Sequence, residues 1–217
     1  AHLLWTRTGW RRISFSNPYN SGGNCNHLVN KQAISRALHH DVLISFFFLY
    51  IYLLILETTM TIEVGDKIPS ATLKIMTADG PKDITSDELF SGKKVVMFAV
   101  PGAFTPGCSM THLPGYVVNA DSILEKADSI ICLSVNDAFV MGAWGEAQNA
   151  EKITMLADGN AELTSAMGTE LDGSGFGLGK RCKRLAMIVD DGTVSHLAIE
   201  PPGEMGISTA ESILEVL

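Results

Sequence analysis

The sequence contains no Cys-x-x-Cys pair. Its four cysteines, Cys25, Cys108, Cys132 and Cys182, stand far apart, which excludes a zinc ribbon and a vicinal dithiol of the thioredoxin kind. Four cysteines in 217 residues make no disulfide scaffold either, so the economical reading is a reducing compartment and one functional thiol. Methionine is missing from the first 59 residues, although nine occur from Met60 onward. Acid is scarce in the same stretch: residues 1–59 hold five Lys/Arg against two Asp/Glu, and residues 60–217 hold eleven against twenty-two. The net charge is therefore +3 before Met60 and −11 from it. So acidic a domain has little attraction for a phosphate backbone, and nucleic acid is excluded as the expected partner.

A long hydrophobic span is lacking too. The apolar run over residues 42–56 is fifteen residues broken only by Ser45, short of the roughly 17–25 that cross a bilayer. A secretory signal fits no better, because 41 residues precede the run and no small-x-small cleavage site follows it. The Trp10–Ser16 stretch has the Arg/Ser-rich, acid-poor look of an organelle transit peptide. Three readings of residues 1–59 stand side by side: upstream in-frame translation, a targeting leader, and a membrane anchor. The first is preferred, so the mature protein is expected to start at or near Met60 and to be soluble and cytoplasmic. A transit peptide would place it in a mitochondrion or other organelle instead. Residues 60–217 are the expected functional domain.

Within that domain, short apolar runs alternate with amphipathic stretches. Strands are predicted at Ala71–Met76, Lys94–Val100, Ile130–Val135, Ile153–Ala157, Leu185–Val189 and Val194–Ile199. Helices are predicted at Ser109–Ala127, interrupted at Pro114-Gly115, and at Ala138–Asn149, Ala161–Met167 and Ser208 to the C-terminus. Asn160 and Ser208 offer capping oxygens at two of the helix starts. Asp79-Gly80 and Asp191-Gly192 read as tight turns, the second closing an antiparallel hairpin. Together these imply an α/β protein, a central mixed β-sheet with helices on both faces. The glycine-rich Leu171–Gly179 precedes a basic run and a strand instead of following a strand and opening a helix, so it reads as a loop and not a dinucleotide-binding turn.

What is present, in place of paired cysteines, is a single thiol in a distinctive setting. Val100–Tyr116 reads VPGAFTPGCSMTHLPGY, with Cys108 where a buried strand ends and a helix begins. The first N–H groups of a helix have no internal partner, and the peptide dipoles place partial positive charge there. A thiol in that turn is biased toward thiolate, the nucleophilic form. Pro101 and Pro106 stiffen the loop, and Thr105 brings a hydroxyl three residues before the sulfur. His112, four residues after Cys108, leaves open a Cys/His nucleophile pair on one helix face. No third residue is evident to orient it.

The stretch resembles a known family. Pro101-x-x-x-Thr105-x-x-Cys108, extended by Thr111-His112-Leu113-Pro114-Gly115, is similar to the peroxidatic motif of peroxiredoxins of the type-5 (type II) subfamily. Leu133–Met141 with Trp144, and Lys183–Gly192, extend the resemblance over essentially all of residues 60–217 and none of the leader. It implies a thioredoxin-like three-layer fold, and a thiolate that reduces hydrogen peroxide and alkyl hydroperoxides through a cysteine sulfenic acid. The alternative is a peroxide sensor or redox relay that oxidises partner thiols. By family role the Thr105 hydroxyl, the Cys108 backbone N–H and the Arg184 guanidinium donate to the departing oxygen, and Pro101 shields the sulfenic acid. His112 belongs by family role to the scaffold. Cys132, 24 residues after Cys108, matches the second cysteine of plant-type members and is the candidate resolving thiol. Cys182, among Lys180, Arg181, Lys183 and Arg184, reads as a surface thiol whose basic neighbours favour the thiolate. The resemblance further implies no metal or organic cofactor, an external reductant (glutathione, glutaredoxin or thioredoxin, with the first two preferred), and a homodimer joined near Phe104 and Cys108.

Overall fold

The computed structural model describes residues 3–6, 9–12 and 61–217. The chain divides into two compact units, Ala1–Tyr50 and Ile51–Leu217. In the first, strands β1 (Leu3–Thr6) and β2 (Gly9–Arg12) form an antiparallel pair with Trp5 opposite Trp10. The apolar run over residues 42–56 and the expected start at Met60 lie outside the described residues.

The second unit is built on a seven-stranded sheet in the order β11-β10-β5-β6-β7-β3-β4. Its strands are β3 (Thr72–Thr77), β4 (Gly80–Thr85), β5 (Lys94–Val100), β6 (Ser129–Ser134), β7 (Ile153–Ala157), β10 (Leu185–Asp190) and β11 (Thr193–Ile199). β5, β6 and β7 run parallel to one another, while β10 pairs antiparallel with both β5 and β11. The hairpin expected at Asp191-Gly192 closes β10 on β11, with Asp191 at φ 46° and Gly192 at φ 75°. Glycine suits its position, since only it adopts that left-handed conformation without a steric cost.

The period-2 alternation of β5 sends its side chains to two separate cores. Val96, Phe98 and Val100 face one, with Cys132 of β6 and the helices α2 (Leu113–Val118), α3 (Ala120–Leu124), α4 (Ala138–Ala147) and α6 (Ala210–Val216). Val95, Met97 and Ala99 face the other, which is covered by α1 (Ser86–Phe90) and α5 (Glu162–Ala166). Each large side chain fully buried this way contributes about 1.5–3 kcal/mol. Phe98 also stacks on Tyr116, ring centroids 3.8 Å apart and planes 3° from parallel, and meets His112 edge-on at 5.2 Å. Helices on both faces of a mixed sheet give the expected three-layer, thioredoxin-like architecture.

Four local expectations are corrected. The helix over Ser109–Ala127 forms in pieces: a wide π-turn at Cys108–His112, then α2, then α3. Pro114 does not break it, because the π-turn (Leu113 N–H to Cys108 O) makes it an early residue of α2, where its missing N–H costs little. The interruption falls at Asn119, whose side-chain amide donates to Gly115 O at 2.9 Å and competes with the helical ladder. The helix starts are capped by Asp158 and Thr209 instead of Asn160 and Ser208: Asp158 accepts the N–H groups of Glu162, Leu163 and Thr164, and Thr209 accepts that of Ser212. Finally, Leu171–Gly179 is no plain loop. It spans a hairpin of β8 (Glu170–Asp172) and β9 (Lys180–Cys182) around a 3₁₀ turn at Ser174–Phe176.

Candidate active site

The sheet's topology brings three chain segments to one point. Parallel strands β5 and β6 end side by side, so the loop Pro101–Gly107 lies next to the Val135–Asp137 turn. The two are joined by Asn136, whose Oδ1 accepts the Ala103 N–H at 3.0 Å and the Ser134 hydroxyl at 2.8 Å. β10 begins where β5 ends, with Leu185 opposite Ala99, which sets Arg184 beside the same loop. β11 ends opposite Leu185 at Ile199, so Glu200 and the segment after it complete the cluster.

Cys108 sits in the first turn of the helical segment that opens at Pro106. Thr105 serves as its cap, accepting the Ser109 N–H through its carbonyl at 2.9 Å. Proline suits the first helical position because its absent N–H would have no partner there. Phe104, just before, holds φ at 62°, a conformation that is rare for a bulky residue and concentrates at functional sites. The side chain of Thr105 donates to Gly102 O at 2.8 Å. Its one proton is thereby committed, so the hydroxyl offers lone pairs to an incoming O–H instead of the donor expected from sequence.

Arg184 reaches the sulfur directly, Nη2 donating to Cys108 Sγ at 3.4 Å. Its Nη1 donates to Nδ1 of His112 at 2.9 Å. A guanidinium can only donate, so His112 Nδ1 is the acceptor and the imidazole is the neutral Nε2–H tautomer. That N–H faces Ser208 O at 2.9 Å. Burial pushes the His112 pKa down to about 4, the charge of Arg184 adding to the effect and the Ser208 carbonyl and Glu200 opposing it. The Cys/His pair that the spacing left open is therefore not formed: His112 contacts the arginine, not the thiol.

A cavity of about 730 Å³ opens at this point, lined by Pro101, Gly107, Arg184, Leu171, Phe176 and Met205 among others. Its charged lining is Lys183, Arg184, Glu200 and Glu204, and the rest, including Pro101 and Gly107 of the cysteine's own loop, is largely apolar. A second cavity of about 430 Å³ lies beside Leu73, Pro81 and Phe139. Among the described residues no group of His, Cys, Asp and Glu side chains is arranged to hold a metal ion.

Residues 63–214 match the Redoxin family. The chain is 49% identical over 164 residues to "Peroxiredoxin-2E-2, chloroplastic" of Oryza sativa subsp. japonica, covering 72% of this chain and 73% of that one. It is 44% identical over 165 residues to "Peroxiredoxin-2E, chloroplastic" of Arabidopsis thaliana, covering 73% and 70%. Reduced Prx3 of Vibrio vulnificus, solved in complex with hydrogen peroxide, superposes with a TM-score of 0.70 at 55% identity, covering 72% of this chain and 99% of that one. This chain is a peroxiredoxin. It is accordingly a thiol-dependent peroxidase of the antioxidant kind, acting on peroxides with a thiol as reductant.

The other two described thiols of the peroxiredoxin are set apart from the cavity. Cys132 lies in the middle strand of the sheet, between Phe98 and Met155 in register. Burial holds its thiol pKa well above the usual cysteine range, and the nearby Cys108 pushes the same way. Cys182 is a correction: it is fully buried on the opposite face of the sheet, against Thr169 Oγ1 at 3.6 Å. Burial pushes it up to about 11, against the hydrogen bond of Thr169, so its basic neighbours do not create a reactive surface thiol. Sequence reasoning found Pro101, Thr105, Cys108 and Arg184, and the structure gathers all four. It missed the loop-pinning role of Asn136 and the contact of His112 with the arginine. The only sequence signal for either was adjacency to the motifs already quoted.

Proposed function

We propose that Cys108 is the peroxidatic nucleophile of a type-5 peroxiredoxin. The single observation that carries this is the hydrogen bond to Cys108 Sγ from Nη2 of Arg184, a residue that also lines the cavity. The Cys108 thiolate attacks the terminal oxygen of ROOH. An S–O bond forms as the O–O bond breaks, and the departing RO⁻ takes a proton from water to leave as water or an alcohol. Cys108 is left as the sulfenic acid. Arg184 and the Cys108 N–H stabilise the charge that moves onto the leaving oxygen, and Thr105 accepts from the hydroperoxide's own O–H. Pro101 covers the oxidised sulfur. The apolar cavity walls give room for the organic part of an alkyl hydroperoxide.

Resolution falls to an external thiol, glutathione with glutaredoxin. The support comes from the described residues, where Cys132 is sealed in the central strand and Cys182 lies across the sheet. A homodimer forms around Phe104 and the Cys108 loop, Phe104 being a large apolar side chain left more than half exposed beside the site. The catalytic unit is residues 60–217, working in the cytoplasm. The two chloroplastic relatives favour a second reading in which residues 1–59 direct it to an organelle. No helix among the described residues is long and apolar enough to cross a membrane. The test is peroxide consumption with glutathione and glutaredoxin, or with thioredoxin, by the full chain and by Cys108→Ser. The proposal expects turnover with the first pair and none in the variant; turnover in the variant contradicts it.

A further inference from the structure

Arg184 must present its N–H groups in fixed directions, one to sulfur and others to the peroxide. An arginine side chain loses rotamer entropy when it is held in one arrangement. Something must therefore pin the guanidinium plane. An acidic partner would do so, but it would also draw the positive charge away from the sulfur and the departing oxygen. The structure uses a neutral one. Nδ1 of His112 accepts from Nη1 at 2.9 Å, and His112 is buried, with its ring edge-on to both Phe98 and Tyr116.

The imidazole is itself held from behind. Nε2–H faces Ser208 O at 2.9 Å and Ser208 Oγ at 3.3 Å, and the Tyr116 hydroxyl donates to the same carbonyl at 2.9 Å. Ser208 Oγ donates to Glu200 Oε1 at 2.9 Å, so it turns a lone pair toward the ring. Glu200 Oε1 also accepts the backbone N–H groups of Ser208 at 2.8 Å and Gly206 at 2.6 Å. The backbone N–H of Glu200 donates in turn to Arg184 O at 2.9 Å. The chain of contacts starts at Arg184 and returns to it, enclosing the segment Pro201–Met205 that walls the cavity.

We propose that His112, seated by Ser208 and Glu200, is the positioning residue for Arg184: its Nδ1 lone pair fixes the guanidinium plane so that Nη2 meets Cys108 and the full cationic charge stays available to the leaving oxygen. This rests on the reading of Cys108 as the peroxidatic thiol. Burial holds His112 neutral, which keeps that lone pair free. Glu200 acts at one remove: burial pushes its carboxyl up, but the hydrogen bonds from Gly206, Ser208 and Ile207 outweigh that and hold it below the usual range.

The test compares two electrophiles at the same sulfur. Stopped-flow rates with hydrogen peroxide read the arginine geometry, and rates with iodoacetamide, which has no O–O bond to polarise, read thiol access. An Asn side-chain oxygen stands near the place of Nδ1, whereas a Gln reaches toward that of Nε2. His112→Gln is expected to lower the peroxide rate at least tenfold while changing the iodoacetamide rate by less than about threefold. His112→Asn is expected to keep the peroxide rate within about threefold of wild type. Ser208→Ala and Glu200→Gln, which leave the ring in place and serve if both His112 variants fail to fold, are expected to lower the peroxide rate about three- to tenfold with iodoacetamide unchanged. Peroxide and iodoacetamide rates that fall together, or a peroxide rate unchanged in whichever of His112→Gln, Ser208→Ala and Glu200→Gln fold, would overturn the assignment. Cys108→Ser in the same assay separates the two claims: residual peroxide reduction there sinks the peroxidatic reading, and its loss beside a wild-type His112→Gln sinks only the positioning role.

Discussion

Cys108 and Cys132 belong to the same hydrophobic core, on the same face of the sheet, and are 1% and 0% exposed. By burial alone they are indistinguishable. One sits in the first turn after β5, with a guanidinium on its sulfur and a cavity at its door. The other is in the middle of β6, with Phe98 and Met155 on either side in register. A buried thiol is ordinarily a small inert hydrophobe. What makes a difference at Cys108 is a permanent cation, unpaired first-turn N–H groups and access from one direction. Reactivity here is a property of the strand end, not of the residue's depth.

The comparison breaks outright if the wrong thiol reacts. Cys108→Ser should abolish peroxide consumption, with a residual rate below a few per cent in a coupled assay and an unchanged far-UV circular dichroism spectrum. Normal turnover would place the chemistry on another cysteine. Arg184→Lys sharpens the role of the cation, because a point charge cannot donate to sulfur and oxygen as a planar fork does. A loss of at least tenfold in the bimolecular rate with peroxide is expected, about 1.4 kcal/mol of transition-state stabilisation. A wild-type rate would show that charge alone suffices.

Acid should undo the Cys108 side of the core first. His112 faces Arg184, Tyr116 and, through Ser208, Glu200, and its pKa falls from 6.5 to about 4 on folding. Between those values the unfolded chain binds more protons, so this contribution is fully present above pH 6.5 and is lost as pH drops toward 4. The loss should reach about 3 kcal/mol, and the held-down Glu200 adds to it in the same direction at lower pH. Urea titrations from pH 7 to pH 4 check the slope, and His112→Asn should flatten it. The smallest effect belongs to the sealed thiol. Cys132→Ala should leave peroxide reduction with an external thiol within about twofold, at a stability cost of about 1–2 kcal/mol. A large loss of turnover with intact stability would make Cys132 a partner in the cycle.

The central strands were readable because both faces of β5 are buried, so its residues form an unbroken apolar run that no helix of that length would need. β4 was not, since it is an edge strand whose GPKDIT carries a proline and mostly polar side chains. β8 and β9 are three residues each, too short for any periodicity. At the site, Pro101, Thr105 and Cys108 lie within one loop and announce a strand-to-helix turn with a thiol in it. Arg184 is 76 positions away from Cys108, and residues alone could not bring it there. Only the resemblance did. The ring of contacts through His112, Ser208 and Glu200 spans 96 positions and depends on β10 beginning where β5 ends and on β11 ending opposite the start of β10, a fact of pairing register that no local pattern carries.

The most direct test of whether the strand-end setting selects the reactive thiol is to let the three described cysteines compete. The full chain, reduced and folded, is treated with one equivalent of hydrogen peroxide in the presence of dimedone, which traps sulfenic acid, and the adduct is mapped by intact and peptide mass spectrometry. The account predicts one adduct per chain, on Cys108, with Cys132 and Cys182 unmodified and still reduced. A dimedone adduct on Cys132 or Cys182, or a Cys108–Cys132 disulfide formed in the folded protein before any other thiol is added, would contradict it.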